Sequence, residues 1–525
     1  MKYRMTEKII NRMHIIPEVF VIGRKKTIIL VLLSFMLATC NQSKPEKYNV
    51  LMICVDDLRP ALGCYGNDVI SSPNIDAFAA NACRFENHYV QAAACGPSRG
   101  MLLNGKFTKS WDAWKEQREL EKEPSFPVAL PHLFKQKGYT TVCIGKVSHE
   151  PGGVMDEAQK IPQIPFSWDT TYTTTGKWET PWNAFFAYAS GEAQNLLLLD
   201  DNPKLMPYEC GEVGDEGYPD GQNAREAMKQ LRRLKDNETP FLLAMGFYKP
   251  HLPFNVPAEY CQYYDKDAIP LASNNYPPKN IKEELSLHNS FEVTTHYYWP
   301  DGPGNIPPEQ AKELKYHYFA CVSYIDRQIG MILHELTRLE LDDNTIVVLW
   351  SDHGWHLGEH GMFGKQTNFS IATRSPLIVR IPKMTDGGKV VGGLVETLDI
   401  YPTLAELCGF TPPQDLQGKS FLPLIKNTEN PGKPYARSFF HRNETLGKTI
   451  VTDRYRIVQW KNEQDTTVAL ELYDHRTDPE ENINIAYDTP EITDSLLTVL
   501  NQAVFFEDIG YTSPDTSKYL SQPGQ

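Results

Sequence analysis

Three short stretches hold the residue types that do chemistry. The first is AAACGPSRGMLLNGK, Ala92 to Lys106, where Cys95 has no CxxC partner and is followed by Pro97, Ser98 and Arg99. The second is Asp56-Asp57, directly after the apolar run NVLMICV. The third is Asp352-His353-Gly354, after TIVVLW and Ser351. Carboxylates gathered from two strand ends repel one another unless a cation holds them. A hard divalent ion with oxygen ligands, Ca²⁺ or Mg²⁺, meets that need. One Asp-Asp pair alone reads more simply as a helix cap; two such ends point to a metal. Cys95 taken alone reads as a buried structural thiol, or as a thiolate nucleophile with its pKa lowered at a helix N-terminus beside Arg99. Neither reading explains the carboxylates, because ions held by them do not select soft sulfur.

The elements that must position these groups follow from alternating apolar runs and helical patterns, which predict an α/β architecture. Residues 49–55 and 345–350 are apolar on both faces and read as buried parallel strands, with 140–144 and 241–245 as further candidates. Ligands in open α/β sheets bind beyond the carboxyl ends of strands, where both acidic pairs fall. Pro97 suits the first turn of a helix that continues to Lys106. Residues 309–339 carry Leu314, Tyr318, Val322, Ile325, Ile329, Ile332 and Leu336 at helical spacing, a core-packing face. Segments 151–222 and 268–308 are rich in Gly, Pro, Thr and Tyr with weak periodicity and read as long surface excursions. A polar linker, 426–433, leads to short strands at 449–451 and 455–460 and a helix near 491–503, a small C-terminal α+β subdomain.

The chain has 525 residues, 41% hydrophobic and 22% charged, with a net charge of -14. That balance argues against nucleic-acid binding, which needs clustered Lys and Arg, and admits an anionic ligand only at a locally basic site. Arg24-Lys25-Lys26 precedes an apolar run, 27–38, too short to span a bilayer and flanked like a signal peptide. The run ends Leu37-Ala38-Thr39-Cys40, which resembles a bacterial lipoprotein processing site, although Thr39 departs from the usual Gly, Ala or Ser. The expectation is an exported bacterial protein, periplasmic or outer-membrane-anchored, touching membrane only through a lipid on Cys40. The division is 1–45 export segment, 46–430 catalytic domain and 431–525 C-terminal subdomain. Of ten cysteines, Cys54, Cys143, Cys321 and Cys408 lie in apolar runs and read as small buried hydrophobes, so few or no disulfides are expected.

CxPSRxxLLxG, here Cys95 to Gly105, resembles the signature of type I sulfatases. VDDLRPALGCYG (55–66), SPNIDAFA (72–79), GKVSH (145–149), KPHLPF (249–254) and SDHGWHLGEHGMFGK (351–365) follow in that family's order. They are similar to the iduronate-2-sulfatase branch, marked by His353 where most sulfatases carry Asn or Gln. The likeness spans about 49–425, and LYDHRTDPEENINIA (472–486) matches the family's C-terminal subdomain. The resemblance implies an alkaline-phosphatase-like fold with a large, mixed, mostly parallel sheet. It implies that a sulfatase-maturing enzyme oxidises Cys95 to formylglycine, whose hydrate attacks sulfur. It implies one Ca²⁺ bound by Asp56, Asp57, Asp352, His353 and an oxygen of modified Cys95, with His353 the looser ligand. Arg99 would hold that region, Lys146, His149, His251 and Lys365 would surround the sulfate, and His251 would be the general acid. The implied substrate is a 2-O-sulfated uronate at the non-reducing end of a glycosaminoglycan fragment.

Lys106 to Pro124 reads KFTKSWDAWKEQRELEKEP and lacks the RPDTTR-like phrase of uronate-specific members, which keeps other sulfated polysaccharides, such as algal galactans, in play. Trp111, Trp114 and Lys115 would face the sugar or belong to an exposed amphipathic helix. A phosphoesterase on the same scaffold and a non-catalytic glycan-binding lipoprotein are the rivals. His356, Glu359 and His360 form an HxxEH pattern that is read as structural, since a zinc peptidase would leave Cys95 and Asp56-Asp57 unexplained.

Overall fold

A computed structural model describes residues 47–107, 129–156, 161–164, 166–194, 204–237, 239–384 and 387–505. The export segment and Cys40, and Trp111, Trp114 and Lys115, lie outside the described residues. Eight strands form the main sheet: β1 Asn49–Val55, β2 Cys83–Phe85, β3 Thr140–Gly145, β4 Thr170–Tyr172, β5 Phe241–Gly246, β6 Thr345–Ser351, β7 Leu377–Arg380 and β8 Lys389–Val391. Their order is β8-β2-β7-β6-β1-β5-β3-β4. The run from β6 to β4 is parallel throughout, while β7 pairs antiparallel with both of its neighbours.

All seven residues of β1 are buried, which is why its sequence lacks polar alternation. Its period-2 pleat sends Leu51, Ile53 and Val55 into one core and Val50, Met52 and Cys54 into the other. On the first side lie helices α2 Pro219–Lys235 and α3 Pro308–Arg338, the latter through Leu314, Tyr318, Ile325, Ile329, Ile332 and Leu336. On the second lie α1 Cys95–Asn104 and α4 Ile400–Leu407. Each fully buried aliphatic side chain contributes about 1.5–3 kcal/mol, so the layers hold the strand ends in fixed positions.

A second sheet of four antiparallel strands, β9 Ala436–Arg442, β10 Thr445–Val451, β11 Tyr455–Asn462 and β12 Thr467–Asp474, follows with helix α5 Pro490–Gln502. Its core joins Phe439, Ile450, Ile457 and Leu472 to Ala92, Met101 and Phe107, so the C-terminal sheet packs against the α1 region. One disulfide, Cys210–Cys261, is present among the described residues, in keeping with the few expected. The reading of 151–222 as a surface excursion is corrected. Trp178 and Phe185 are each 1% exposed, and α2 begins inside the segment at Pro219. Aromatic packing, without any helical or strand period, buries it.

Candidate active site

Strand register brings the chemistry together. Val55 lies opposite Ser351, Cys54 opposite Gly246, and Gly145 opposite Gly246. Four strands therefore end in one row, and the residues just beyond them (Asp56 and Asp57, Asp352 and His353, Lys146, and the Lys249 to His251 turn) share one rim. Gly145 has φ +67°, and a Cβ there would sit 2.1 Å from the Gly246 carbonyl oxygen, so only glycine lets the chain deliver Lys146 to the rim. Asp57 adopts φ 59°, a left-handed conformation that non-glycine residues hold where surrounding structure enforces it.

Helix α1 points its N-terminus at this rim, with extended Ala94 as the N-cap and left-handed Gly105 closing it. Its residues are all buried, and Cys95 is 7% exposed. Cys95 Sγ lies 3.3 Å from Asp56 Oδ1, 3.4 Å from His353 Nε2 and 3.4 Å from Lys365 Nζ. Burial, with Asp56 beside it, pushes the thiol well above its ordinary pKa, the opposite of what a thiolate nucleophile needs. Arg99, one helical turn on, donates from Nε to Asp352 Oδ2 at 2.8 Å, pairs with Asp56 Oδ1 at 3.4 Å, and donates to the Lys146 and Val147 carbonyls. It thereby ties α1 to three strand ends.

Every residue expected at the site is brought to this rim. Lys146 Nζ reaches Asp56 Oδ2 at 2.5 Å, and Lys365 Nζ reaches Asp57 Oδ1 at 2.8 Å. Burial disfavours the charge on Asp56, but Lys146 and Arg99 override it and hold the carboxyl well below the usual range. Burial pushes Asp57 well above that range, with Asp56 and Asp352 adding to the effect against the pull of Lys365. His149 lines the pocket, its imidazole held down to about 3 by burial and by Lys146. His251 places Nδ1 2.6 Å from the Leu252 carbonyl and Nε2 3.9 Å from Asp57 Oδ2. Burial and Lys365 keep it neutral.

The decisive geometry belongs to His353. Its Nδ1 lies 3.0 Å from the Gly354 carbonyl, which only accepts, so Nδ1 carries the proton. Burial keeps the ring neutral. Nε2 therefore turns its lone pair toward Asp57 Oδ1 at 3.3 Å, Asp352 Oδ2 at 3.6 Å and the Cys95 thiol at 3.4 Å. Ligand atoms of Asp56, Cys95, Asp352 and His353 all lie within 4.8 Å of one another. Lone pairs aimed at lone pairs fit a cation, and the donor set suits a hard one.

Above the rim is a cavity of about 320 Å³. One wall is aromatic: Trp182, Phe185 and Phe186. The opposite wall is Glu292, His296, Tyr297 and Gln366. Glu292 Oε2 and Tyr297 Oη are buried there without a hydrogen-bond partner. Sequence reasoning missed both walls, although the aromatic density of WETPWNAFFAY (178–188) was the available signal. The HxxEH pattern does not converge on an ion. Glu359 pairs with Arg59 at 2.9 Å, His356 meets Thr367 Oγ1 at 3.1 Å, and His360 meets the Glu480 carbonyl at 2.8 Å.

A mixed, mostly parallel sheet whose strand ends gather carboxylates, with lysines facing a small pocket, is the arrangement of the alkaline-phosphatase-like fold. The chain belongs to the sulfatase family and is a sulfuric ester hydrolase: the Sulfatase profile matches residues 48–410, and that of the N-sulphoglucosamine sulphohydrolase C-terminal region matches 358–504. It is 32% identical to iduronate 2-sulfatase of Mus musculus over 75% of this chain and 75% of that one. It is 30% identical to a sulfatase of Formosa agariphila over 88% and 89% of the two chains. A phosphonate monoester hydrolase from Silicibacter pomeroyi superposes with a TM-score of 0.68 at 20% identity, covering 90% of this chain and 97% of its own, which shows shared fold alone.

Proposed function

We propose that this sulfatase hydrolyses a sulfate ester on a saccharide by S–O cleavage, with formylglycine derived from Cys95 as nucleophile and one Ca²⁺ at Asp56, Asp57, Asp352, His353 and the modified Cys95. The observation that carries the reading is the convergence of the His353 Nε2 lone pair, two carboxylates and Cys95 Sγ on one point of the rim. The metal supplies positive charge that lowers the pKa of an oxygen nucleophile and polarises the ester. Formylglycine supplies that oxygen as its hydrate.

The chain's own residues do the rest. Lys146 and Lys365 flank Cys95 and donate to non-bridging sulfate oxygens, where negative charge is held through the reaction. Arg99 fixes Asp352 and so the cation site. Leu252 holds the His251 ring with Nε2 facing inward. An entering anionic ester raises that nitrogen's proton affinity, so Nε2 takes a proton from water and delivers it to the leaving sugar oxygen. His149 borders the sulfate, and Trp182, Phe185 and Phe186 exclude water and offer a stacking face for a sugar ring. A cavity of about 320 Å³ suits one terminal ring, which supports exo action. The name of the mouse relative supports a 2-O-sulfated uronate of a glycosaminoglycan fragment as that ring. Another sulfated polysaccharide, such as an algal galactan, is the alternative substrate.

A phosphoesterase reading gains from the phosphonate hydrolase fold. It loses from the ligand groups, because the two that contain carboxylates share Cys95 and so suit one ion. The test is protein co-expressed with a maturing enzyme, assayed on sulfated disaccharides and their phosphate analogues. Sulfate release with Cys95→Ala inactive by at least about 10³-fold is expected. Full activity of Cys95→Ala, or preference for phosphate, overturns the reading. We also propose that the chain is exported, supported by the basic-then-apolar run ending at Cys40 and by Cys210–Cys261, a bond at home in oxidising compartments. A boundary near residue 430 is proposed where the polar linker precedes the second sheet.

A further inference from the structure

The C-terminal sheet brings one cation against a residue that lines the pocket. Arg442, the last residue of β9, donates from Nη2 to the Gln366 carbonyl at 2.6 Å, and Gln366 lines the cavity. The preceding carbonyl, that of Lys365, faces His288 Nε2 at 2.7 Å. Arg442 therefore stands on the main chain of Gln366, next in sequence to the cavity's Lys365. Its guanidinium lies over the Phe440 ring at 5.0 Å, and its buried Nε has no hydrogen-bond partner. No carboxylate of the described residues lies within 4.0 Å of it.

It shares that isolation with Arg380, whose Nε and Nη2 also lack partners but which lies away from the cavity lining. Arg99, Arg437 and Arg456 each pair with an acid at 2.7–2.8 Å. Burial without a counter-charge pushes Arg442 down to about 10. A guanidinium is an expensive group to bury unpaired, and its planar fork of donors matches a carboxylate or sulfate. The neighbouring imidazole offers no compensation, since burial and Arg442 itself hold His288 down to about 3.

We propose that Arg442 is a specificity residue that receives a second anionic group of the saccharide, a carboxylate or a second sulfate, while the ester being cleaved sits at Cys95. This rests on the sulfatase reading above. The occupant would restore the missing counter-charge, and the C-terminal sheet would take part in substrate choice rather than serve only as support. The bland role, in which Arg442 merely holds the Gln366 carbonyl and so positions Lys365, predicts equal losses on every substrate.

The experiment compares wild type, Arg442→Gln and Arg442→Lys, each with a maturing enzyme, on three esters: a 2-O-sulfated uronate disaccharide, a disulfated neutral sugar and a monosulfated neutral sugar. Arg442→Gln is expected to lower kcat/KM on the dianionic substrates about 10- to 100-fold more than on the monosulfated one, the loss of one charge-assisted contact. Whether the uronate or the disulfated sugar takes the larger loss identifies the second anion. Arg442→Lys keeps the charge and should retain part of the discrimination, and it carries the test if the Gln variant fails to fold by thermal melt. Equal loss on all three esters, or none, overturns the inference. Wild type inactive on every sulfate overturns the sulfatase reading instead, so the two failures are distinguishable.

Discussion

Two buried ionic clusters in this molecule are built from nearly the same parts. At the pocket, Asp56 and Asp57 meet Lys146, Arg99 and Lys365. Beneath the second sheet, Glu396 and Asp399 meet Lys433 and Arg437. Each has one carboxyl held low and one pushed high. In the second, burial opposes the charge on Glu396 but Lys433 and Arg437 bring it down to about 2, while burial raises Asp399. The charges are alike; the hydrogen bonding is not. Glu396 accepts from Arg437 Nε, Nη2 and backbone N at 2.8–2.9 Å, and Asp399 takes the Lys419 and Glu396 backbone N–H groups at 2.6 and 2.8 Å. The pocket cluster turns the His353 Nε2 lone pair on carboxylate oxygens and leaves Arg99 Nη2 without a hydrogen bond. A cluster satisfied by itself is support, whereas one that still lacks a partner is a receptor.

Breaking each cluster should therefore have opposite signatures. The larger effect of the two clusters is expected for Asp57→Asn, which should lower kcat/KM by at least about 10²-fold and remove the rise in Tm expected of the wild type on adding Ca²⁺. In chelator the same variant should lose less stability than a change at Glu396, because the lost Lys365 pair is offset by relief of a surplus of acceptors and Lys365 keeps Glu292 nearby. If Asp57→Asn destabilises the metal-free protein as much as a change at Glu396, the comparison fails.

Glu396→Gln should cost about 2–4 kcal/mol by denaturant unfolding, since it strands Lys433 and Arg437, while kcat/KM of the folded fraction changes less than tenfold. The linkage has a definite sign. The Glu396 carboxyl is depressed from 4.5 to about 2, so its stabilisation is present above pH 4.5 and is lost as pH falls toward 2. Wild type should thus lose up to about 3 kcal/mol more than Glu396→Gln over that window. Parallel stability curves would remove Glu396 from the account. The smallest effect is expected at the cavity wall: Tyr297→Phe should raise KM two- to fivefold, about 0.4–1 kcal/mol, with Tm unchanged, because the lost hydroxyl has no partner within the protein. A drop in Tm would show that Tyr297 Oη serves the fold.

What could be read from sequence was what has a period or a fixed spacing. The predicted strands 49–55 and 345–350 appear as Asn49–Val55 and Thr345–Ser351, and the helix of 309–339 as Pro308–Arg338, because burial on both faces or on one stripe leaves its mark on residue type. Asp56, Asp352 and Cys95 announced themselves by following such elements or starting one. The cavity walls did not. Trp182, Glu292 and Tyr297 sit in stretches ordered by irregular packing, which writes no period into the chain. The Cys210–Cys261 pair, 51 residues apart, carries no spacing signal either. Nor could composition reveal that Gly354 fixes the proton on His353, or that Arg442 would come from the far end of the chain to stand beside Gln366.

The row of strand ends has a consequence for how the molecule comes into being. The Asp57 backbone N–H bonds Asp352 Oδ1 at 3.1 Å across a sequence separation of 295. Such distant pairings form late, after nearer contacts have repaid the entropy of closing the chain between them. Asp56-Asp57 and Asp352-His353 meet only when β1 and β6 zip together at the middle of the sheet. Catalytic competence should accordingly appear in one step with the final closure of that sheet, and a half-folded chain should hold no part of it.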